Sequence, residues 1–141
     1  PLLARAPRRL AVCNRTQARA EALVERHLAL AMLTKTELTA LGQQAPETDF
    51  DVIINATSSS LSGGGVPVPA SVLRPGSLAC DLMYGAPAQG FLAWATQHGV
   101  HARDGLGMLV QQAAESFLLW RGVRPPAEQV LAELRALLAP A

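Results

Sequence analysis

The sequence predicts an α/β fold in which helices cover both faces of an open, mostly parallel sheet. Short apolar runs rich in β-branched residues alternate with segments whose apolar residues recur at three- and four-residue spacing, as strands and helices do. Polar residues and glycines follow the apolar runs directly, as loops do in such a fold. Strands that alternate with helices at this spacing form right-handed crossovers, which make neighbouring strands parallel.

The first part of the chain predicts one strand and two helices. Residues 10–13 form a short apolar run, and residues 17–28 follow with the apolar spacing of a helix. Thr34 precedes Glu37 by three residues, a spacing typical of a capping box. A short second helix is therefore predicted to run from Thr34 to residue 41.

The middle of the chain predicts two strands joined by a long loop. Residues 51–55 are apolar at consecutive positions, as expected of a strand buried on both faces of a parallel sheet. Residues 58–75 contain a run of three glycines at 63–65 and predict a loop with at most one helical turn, around 70–73. Residues 77–82 predict the next strand.

The last part of the chain predicts three helices and a short strand. Residues 88–98 have helical spacing and residues 100–103 are predicted to form a final strand. Residues 108–120 are apolar nearly all round, which predicts a buried helix. Residues 127–138 are amphipathic and predict a last helix packed on the domain.

The composition fits one globular domain. The chain has 141 residues, 50% of them hydrophobic, and a formal net charge of +1 from 12 basic and 11 acidic side chains. Such a balance provides no overall field for binding nucleic acid or anionic lipid, and no apolar run approaches the roughly 20 residues of a membrane span. We therefore expect a cytoplasmic protein that binds neither nucleic acid nor membrane. Cys13 and Cys80 lie in apolar runs and are expected to be free, buried thiols rather than metal ligands.

The polar residues after the first strand predict a nucleotide site. Ligands of open α/β sheets bind beyond the carboxyl ends of the strands. Asn14, Arg15 and Thr16 occupy such an end, and Arg19 lies one helical turn further on. Arginine at this point of a dinucleotide fold accommodates a 2′-phosphate, whereas an acidic residue accepts the ribose hydroxyl, so NADP is favoured over NAD. The alternative is that Thr16 only caps the helix and the arginines are solvated.

Two further strand ends carry candidate residues. After the second strand, Ala56 and Thr57 are small enough to let a ligand approach, and the Asn55 amide can brace the turn. After the third strand, Tyr84 combines an apolar ring with a hydroxyl and suits a partly wet site. The alternatives are an ordinary strand-to-loop cap and a tyrosine with a structural role.

The turn before the apolar helix contains a GxG sequence that we do not interpret as a pyrophosphate site. The third glycine position of that fingerprint is Val110, and no further β-α unit follows. Close backbone approach at the helix start is the better explanation of these glycines. Gln112 lies in the first turns, where a polar ligand could satisfy its amide; Glu115 and Ser116 are the alternative partners.

Five segments together make the chain resemble the C-terminal part of shikimate dehydrogenases. They occur in the right order and cover nearly the whole chain, which makes the combination specific although each is weak alone. The segments are NRTxxR from Asn14 to Arg19, DxIINATS from Asp51 to Ser58, DLMY ending at Tyr84, DGLGMLVQQA from Asp104 to Ala113, and FLLWRG from Phe117 to Gly122.

This resemblance implies a Rossmann-like fold and the reversible NADPH-dependent reduction of 3-dehydroshikimate to shikimate. The mechanism implied is hydride transfer at the cofactor, with protein groups holding the substrate. The implied cofactor-binding residues are Asn14, Arg15, Thr16 and Arg19 at the adenosine 2′-phosphate and adenine, and Leu82 and Gly105 at the nicotinamide. Ala56 and Thr57 are also expected to bind the cofactor, because of their place at a strand end. The implied substrate-binding residues are Tyr84 and Gln112.

The resemblance also implies parts that are absent from residues 1–141. In the family, a glycine-rich turn after the first strand holds the pyrophosphate, and the catalytic lysine and aspartate lie in a substrate domain. Lys35 is the only lysine, does not match that motif, and is expected at the surface. We therefore expect a partial NADP-binding domain without its first strand, its glycine-rich turn and the N-terminal substrate domain, inactive alone and without catalytic residues of its own. The alternatives are a quinate/shikimate dehydrogenase that uses NAD or NADP, and a non-catalytic module for oligomerisation or interaction.

Overall fold

A computed structural model describes residues 1–42, 48–58, 66 and 68–138, in which strands and helices alternate along most of the chain. The strands of this described part are β1 (Arg9–Cys13), β2 (Glu37–Leu41), β3 (Phe50–Asn55), β4 (Leu73–Asp81) and β5 (His101–Arg103). Its α-helices are α1 (Gln17–Leu33), α2 (Gln89–Gln97), α3 (Leu106–Arg121) and α4 (Ala127–Leu138). The predicted α/β fold is confirmed.

The described residues divide into two compact units, the first of residues 1–42, 48 and 68–72 and the second of residues 49–58, 66 and 73–138. In the first unit, β1 and β2 pair in parallel, from Arg9 opposite Glu37 to Cys13 opposite Leu41. Helix α1 makes the crossover between these strands and buries one of its faces. This unit therefore contains one complete β-α-β crossover.

Strand β2 lies where the sequence predicted a helix, so that prediction is wrong. Helix α1 continues to Leu33, and the Thr34 hydroxyl caps its last turn by donating to the carbonyl oxygen of Leu30 at 3.0 Å. Lys35 follows in the left-handed region, with a φ of 55°, and reverses the chain. Thr34 thus ends one helix rather than beginning another, and pairing with β1 holds residues 37–41 extended.

The second unit contains a three-stranded parallel sheet in the order β3-β4-β5. Strand β4 begins at Leu73, earlier than predicted, and the pairing with β3 shifts register beside Gly76, whose φ is 83°. Helix α2 packs on this sheet and contributes Phe91 and Ala95 to a buried core with Ala79. The elements α2, β5 and α4 lie within a residue or two of their predicted positions.

Two elements that were predicted to be buried are exposed on one side. In β3, Ile53 packs on the core, whereas Val52 and Ile54 are 49% and 42% exposed because side chains alternate across a strand. In α3, one face is buried, and the helix packs near α4. No described residue covers the other faces of this apolar helix. The exposed large apolar residues of α3 are Met108, Leu109, Phe117, Leu119 and Trp120.

The predicted helical turn before β4 is present at Ala70–Val72. The glycine run at 63–65 lies outside the described residues. Among the helices that are described, none is both long and apolar enough to cross a bilayer.

Candidate functional site

The candidate site of the second unit starts at the carboxyl ends of β3 and β4. Asn55 and Asp81 end these strands, stand opposite each other in the parallel register and are both buried. The Asn55 amide donates from Nδ2 to Oδ2 of Asp81 at 3.0 Å. Its Oδ1 accepts from the backbone N–H of Thr57 at 3.1 Å and from the Thr57 hydroxyl at 2.8 Å. The prediction that Asn55 braces this turn is confirmed.

Asp81 extends the same network into the segment that follows β4. Its Oδ1 accepts from the backbone N–H of Met83 at 2.9 Å. The N–H of Leu82 donates to the carbonyl oxygen of Asn55 at 3.0 Å. Leu82 and Tyr84 are both exposed at this strand end. A buried carboxylate thus anchors the segment that presents two of the predicted site residues.

Gly105, between β5 and α3, presses against this segment from the other side. Its N–H donates to the carbonyl oxygen of Met83 at 2.8 Å. A Cβ added at Gly105 would lie 2.0 Å from the carbonyl oxygen of Leu82, far inside van der Waals contact. The predicted close backbone approach is therefore confirmed at Gly105, whereas at Gly107 an added Cβ would make only ordinary contact with Leu131, at 3.9 Å.

Asp104 links this turn to the last helix. Its side chain is 7% exposed and receives two hydrogen bonds from Arg135 of α4, from Nη1 to Oδ2 at 2.7 Å and from Nη2 to Oδ1 at 2.5 Å. The bonds from Arg135 hold the pKa of Asp104 below its ordinary value against the opposing effect of burial, and the backbone amides of Leu106 and Gly85 act in the same direction as Arg135. Asp104 is thus a charged junction between three segments.

Sequence reasoning did not select Asp81, Asp104 or Arg135 as site residues. The two aspartates could have been found from their place at a strand end, since the first backbone amides of a following turn or helix need acceptors there. For Arg135 no local signal exists, because its partner is 31 residues away.

Gln112 lies on an exposed side of α3. The amide was expected to need partners inside a buried helix, but Gln112 is exposed because this side of α3 is open. One of its alternative partners, Glu115, instead accepts a hydrogen bond from Arg124 at 2.8 Å. A substrate-binding role for Gln112 stays a prediction.

The first unit holds the other predicted site residues. Asn14 follows β1 and accepts the backbone N–H of Thr16 on its Oδ1 at 2.9 Å. Thr16 is the N-cap residue of α1, as predicted, but its hydroxyl makes no capping bond. Arg15 and Arg19 are exposed, and neither forms an ion pair with any residue that the structure describes. Two guanidinium groups beside a helix start are suited to binding phosphate, and their convergence on one anion stays a prediction.

The candidate residues therefore belong to two groups, one in each unit. The first group is Asn14, Arg15, Thr16 and Arg19. The second group is Ala56, Thr57, Leu82, Tyr84, Gly105 and Gln112. Lys35 is exposed, as expected. The described residues contain no cluster of potential metal ligands, and burial raises the pKa of the free thiols of Cys13 and Cys80.

Comparison with known proteins shows the same family in sequence and in structure. Residues 105–135 match the family model of the shikimate 5′-dehydrogenase C-terminal domain. The shikimate dehydrogenase (NADP(+)) of Acidovorax sp. strain JS42 is 73% identical over 139 residues, which are 99% of this chain and 49% of that protein. The chain thus spans about half the length of the curated relatives it matches.

Two solved structures extend the likeness to the fold. The shikimate 5-dehydrogenase of Thermus thermophilus in complex with NADP(H) and shikimate has a TM-score of 0.62 at 30% identity, over 91% of this chain and 46% of that chain. A shikimate dehydrogenase in complex with NADP+ has a TM-score of 0.73 at 27% identity, over 92% of this chain and 47% of that chain. The recognition of a shikimate dehydrogenase C-terminal domain with a Rossmann-like fold is confirmed.

Proposed function

We propose that this chain is the NADP-binding part of a shikimate dehydrogenase, an enzyme of aromatic amino acid biosynthesis that reversibly reduces 3-dehydroshikimate to shikimate with NADPH. The observation that carries the proposal is the 73% identity over 139 residues to a shikimate dehydrogenase (NADP(+)). The braced strand ends of the second unit support it, because open α/β sheets bind their ligands at such ends. We place the enzyme in the cytoplasm.

Arg15 and Arg19 are the residues proposed to hold the 2′-phosphate. Both guanidinium groups are exposed and, within the described part of the chain, are not engaged by a carboxylate. The donor set therefore fits a phosphate that carries two negative charges. Asn14 and Thr16 are proposed to complete the adenosine end, with Asn14 fixing the turn through its bond to Thr16.

The second unit is proposed to hold the nicotinamide and the substrate. When bound, NADPH supplies the hydride. Leu82 and Gly105 are proposed to lie against the nicotinamide, and Ala56 and Thr57 to line the cofactor beyond β3. The Tyr84 hydroxyl and the Gln112 amide are proposed to hold oxygen atoms of the substrate. Proton transfer is proposed to fall to a lysine and an aspartate of an N-terminal substrate domain outside residues 1–141.

The test compares the full-length protein with the 141-residue chain in an assay of NADPH oxidation with 3-dehydroshikimate. We expect turnover by the full-length protein and none by the chain alone. A full-length protein that does not oxidise NADPH with this substrate contradicts the proposed function, and turnover by the chain alone at an ordinary enzyme rate contradicts the partial domain. Quinate with NADP+, followed as the formation of NADPH, tests the alternative substrate, and NADH in place of NADPH with 3-dehydroshikimate tests the alternative cofactor.

A further inference from the structure

We propose that Asp104 and Arg135 are positioning residues that fix the segment 82–85, and that through this segment they set the geometry at the nicotinamide and substrate end of the site. The inference rests on the proposed function, since it assigns Leu82 and Tyr84 to that end. Neither Asp104 nor Arg135 is proposed to touch cofactor or substrate.

The segment 82–85 is anchored at both of its ends. At its start, Asp81 accepts the N–H of Met83, and the Leu82 N–H donates to Asn55. At its end, Gly85 has a φ of 66° and a ψ of −147°, a conformation that only glycine adopts readily, and its carbonyl oxygen accepts the N–H of Ala88 at 3.1 Å. The backbone amide of Gly85 also lowers the pKa of Asp104. Tyr84 lies between these anchors, so its position depends on both.

Asp104 also acts on the segment through its neighbour in sequence. Gly105 donates its N–H to Met83 at 2.8 Å and lies directly against the carbonyl of Leu82. Because the contact leaves no space for a Cβ, a shift of Asp104 that moves Gly105 must also move residues 82 and 83. The same carboxylate accepts the N–H of Leu106 at 3.3 Å, which ties it to the first turn of α3.

Arg135 keeps this junction charged and in place. The Asp104 side chain is 7% exposed, and a buried carboxylate without a cation either destabilises the fold or takes up a proton. The protonated form is a weaker acceptor for the backbone amides of Gly85 and Leu106, and a carboxylate that stays charged without Arg135 loses the two bonds that hold it in place. The two-point bond from Arg135 also fixes the orientation of the carboxylate plane, which a single bond would leave free to rotate. Helix α4 thereby contributes to a site that it is not proposed to reach.

The test uses the full-length enzyme with three variants: Arg135→Gln, Arg135→Lys and, as a matched control, Arg124→Gln. Arg124 likewise bonds a carboxylate, that of Glu115, at 2.8 Å, but this pair is exposed on both sides and lies outside the proposed site. Two quantities are measured: kcat with NADPH and 3-dehydroshikimate, and Kd for 2′-phospho-ADP-ribose, a cofactor fragment without nicotinamide.

We expect Arg135→Gln to lower kcat about tenfold or more, since small displacements of reacting groups have effects of this size or larger. Its Kd for the fragment should stay at the parent value, because the fragment lacks the nicotinamide that Leu82 and Gly105 are proposed to contact. Arg135→Lys should restore part of kcat, and Arg124→Gln should change neither quantity.

Two results overturn the inference in an active parent enzyme. One is a kcat for Arg135→Gln equal to that of the parent. The other is a parallel loss of kcat and of fragment binding, which indicates general destabilisation. If Arg135→Gln does not fold, Asp104→Asn, which keeps the shape and one acceptor oxygen, decides by the same two measurements. An inactive parent instead contradicts the proposed function, on which the inference rests.

Discussion

Gly105 shows how a single missing Cβ shapes the second unit. Its backbone touches the carbonyl of Leu82 so closely that a methyl group must displace main chain rather than a flexible side chain. We expect Gly105→Ala to reduce the free energy of unfolding by about 1–3 kcal/mol, as overpacking does. The control is Gly107→Ala, where a Cβ fits at 3.9 Å from Leu131 and the helical position should gain about 0.5–1 kcal/mol. Urea unfolding measures both, and equal midpoints for the two variants would contradict the steric argument.

Arg15 tests the proposed choice of cofactor. Arg15→Ala in the full-length enzyme should raise the Kd for NADP about tenfold or more, because a charge-assisted bond to phosphate is lost, and should leave the Kd for NAD nearly unchanged. The control is Arg26→Ala in the middle of α1, since the Arg26 guanidinium bonds the carbonyl oxygen of Ala22 within that helix. Titration of each variant with both cofactors gives the ratio of the two constants. A ratio that does not change in Arg15→Ala would remove this residue from the 2′-phosphate site.

Asp104 makes stability depend on pH in a defined direction. Its pKa is lower in the folded protein than in the unfolded chain, chiefly because of the hydrogen bonds from Arg135. The stabilisation is therefore fully present above the unfolded pKa and is lost as the pH falls through the folded pKa. We expect the parent to be more stable than Asp104→Asn at neutral pH, and this difference to shrink as the pH is lowered into the acid range.

Thermal unfolding across a pH series measures that difference directly. The control is Glu115→Gln, which breaks an ion pair exposed on both sides, and such pairs contribute little to stability. A difference between parent and Asp104→Asn that stays constant down to strongly acid pH would contradict the linkage.

At the scale of elements, the sequence pattern predicted the bounds of those helices and strands that are set by the spacing of their own apolar residues. The apolar run of β1, the helical spacing of α2 and the amphipathic α4 all lie close to their predicted bounds. Strand β2 was missed because its extended form depends on pairing with β1, a contact between residues 28 apart in the sequence, such as Arg9 and Glu37. The spacing of Thr34 and Glu37 is that of a capping box, but pairing with β1 stabilises residues 37–41 as a strand instead.

In the candidate site, too, the sequence predicted features that depend on neighbouring residues but not bonds between residues far apart in the chain. The positions of Asn55 at the end of a strand and of Tyr84 and Gly105 just after strands could be predicted, because parallel strands end at one edge of a sheet. The bond from Asn55 to Asp81 joins residues 26 apart, and the bonds from Arg135 to Asp104 join residues 31 apart. Because no periodicity in the sequence indicates such pairs, the hydrogen bonds that hold the site could not be predicted from the sequence.

The left-handed backbone conformation of Lys35 at the end of α1 can be tested by substitution. Lys35 adopts a φ of 55° just after the helix, where a Cβ is unfavourable and glycine is the usual residue. We expect Lys35→Gly to raise the free energy of unfolding by about 1 kcal/mol. Lys35→Ala serves as the control, because it removes the charge and keeps the Cβ, and it should give no such gain. Urea unfolding distinguishes the two, and a loss of stability in Lys35→Gly would show that the side chain itself matters.

At the scale of the whole molecule, the described helices and strands leave large apolar side chains exposed. Half of the 141 residues are hydrophobic, yet α3 leaves Leu119 83% and Trp120 79% exposed. These two side chains contribute nothing to the core at such exposure. Large apolar side chains exposed in this way bind hydrophobic dyes and promote self-association of a chain on its own.

We therefore expect the 141-residue chain with both Leu119→Gln and Trp120→Gln to bind less of the dye ANS and to scatter less light than the parent chain. Far-ultraviolet circular dichroism should be unchanged, since the exposed positions support no packing. Arg121→Gln is the control at the same helix end, because it alters charge without removing apolar area. Dye binding that persists in the double variant would mean that the accessible apolar surface lies elsewhere, and a loss of helical signal would mean that these side chains are packed in solution.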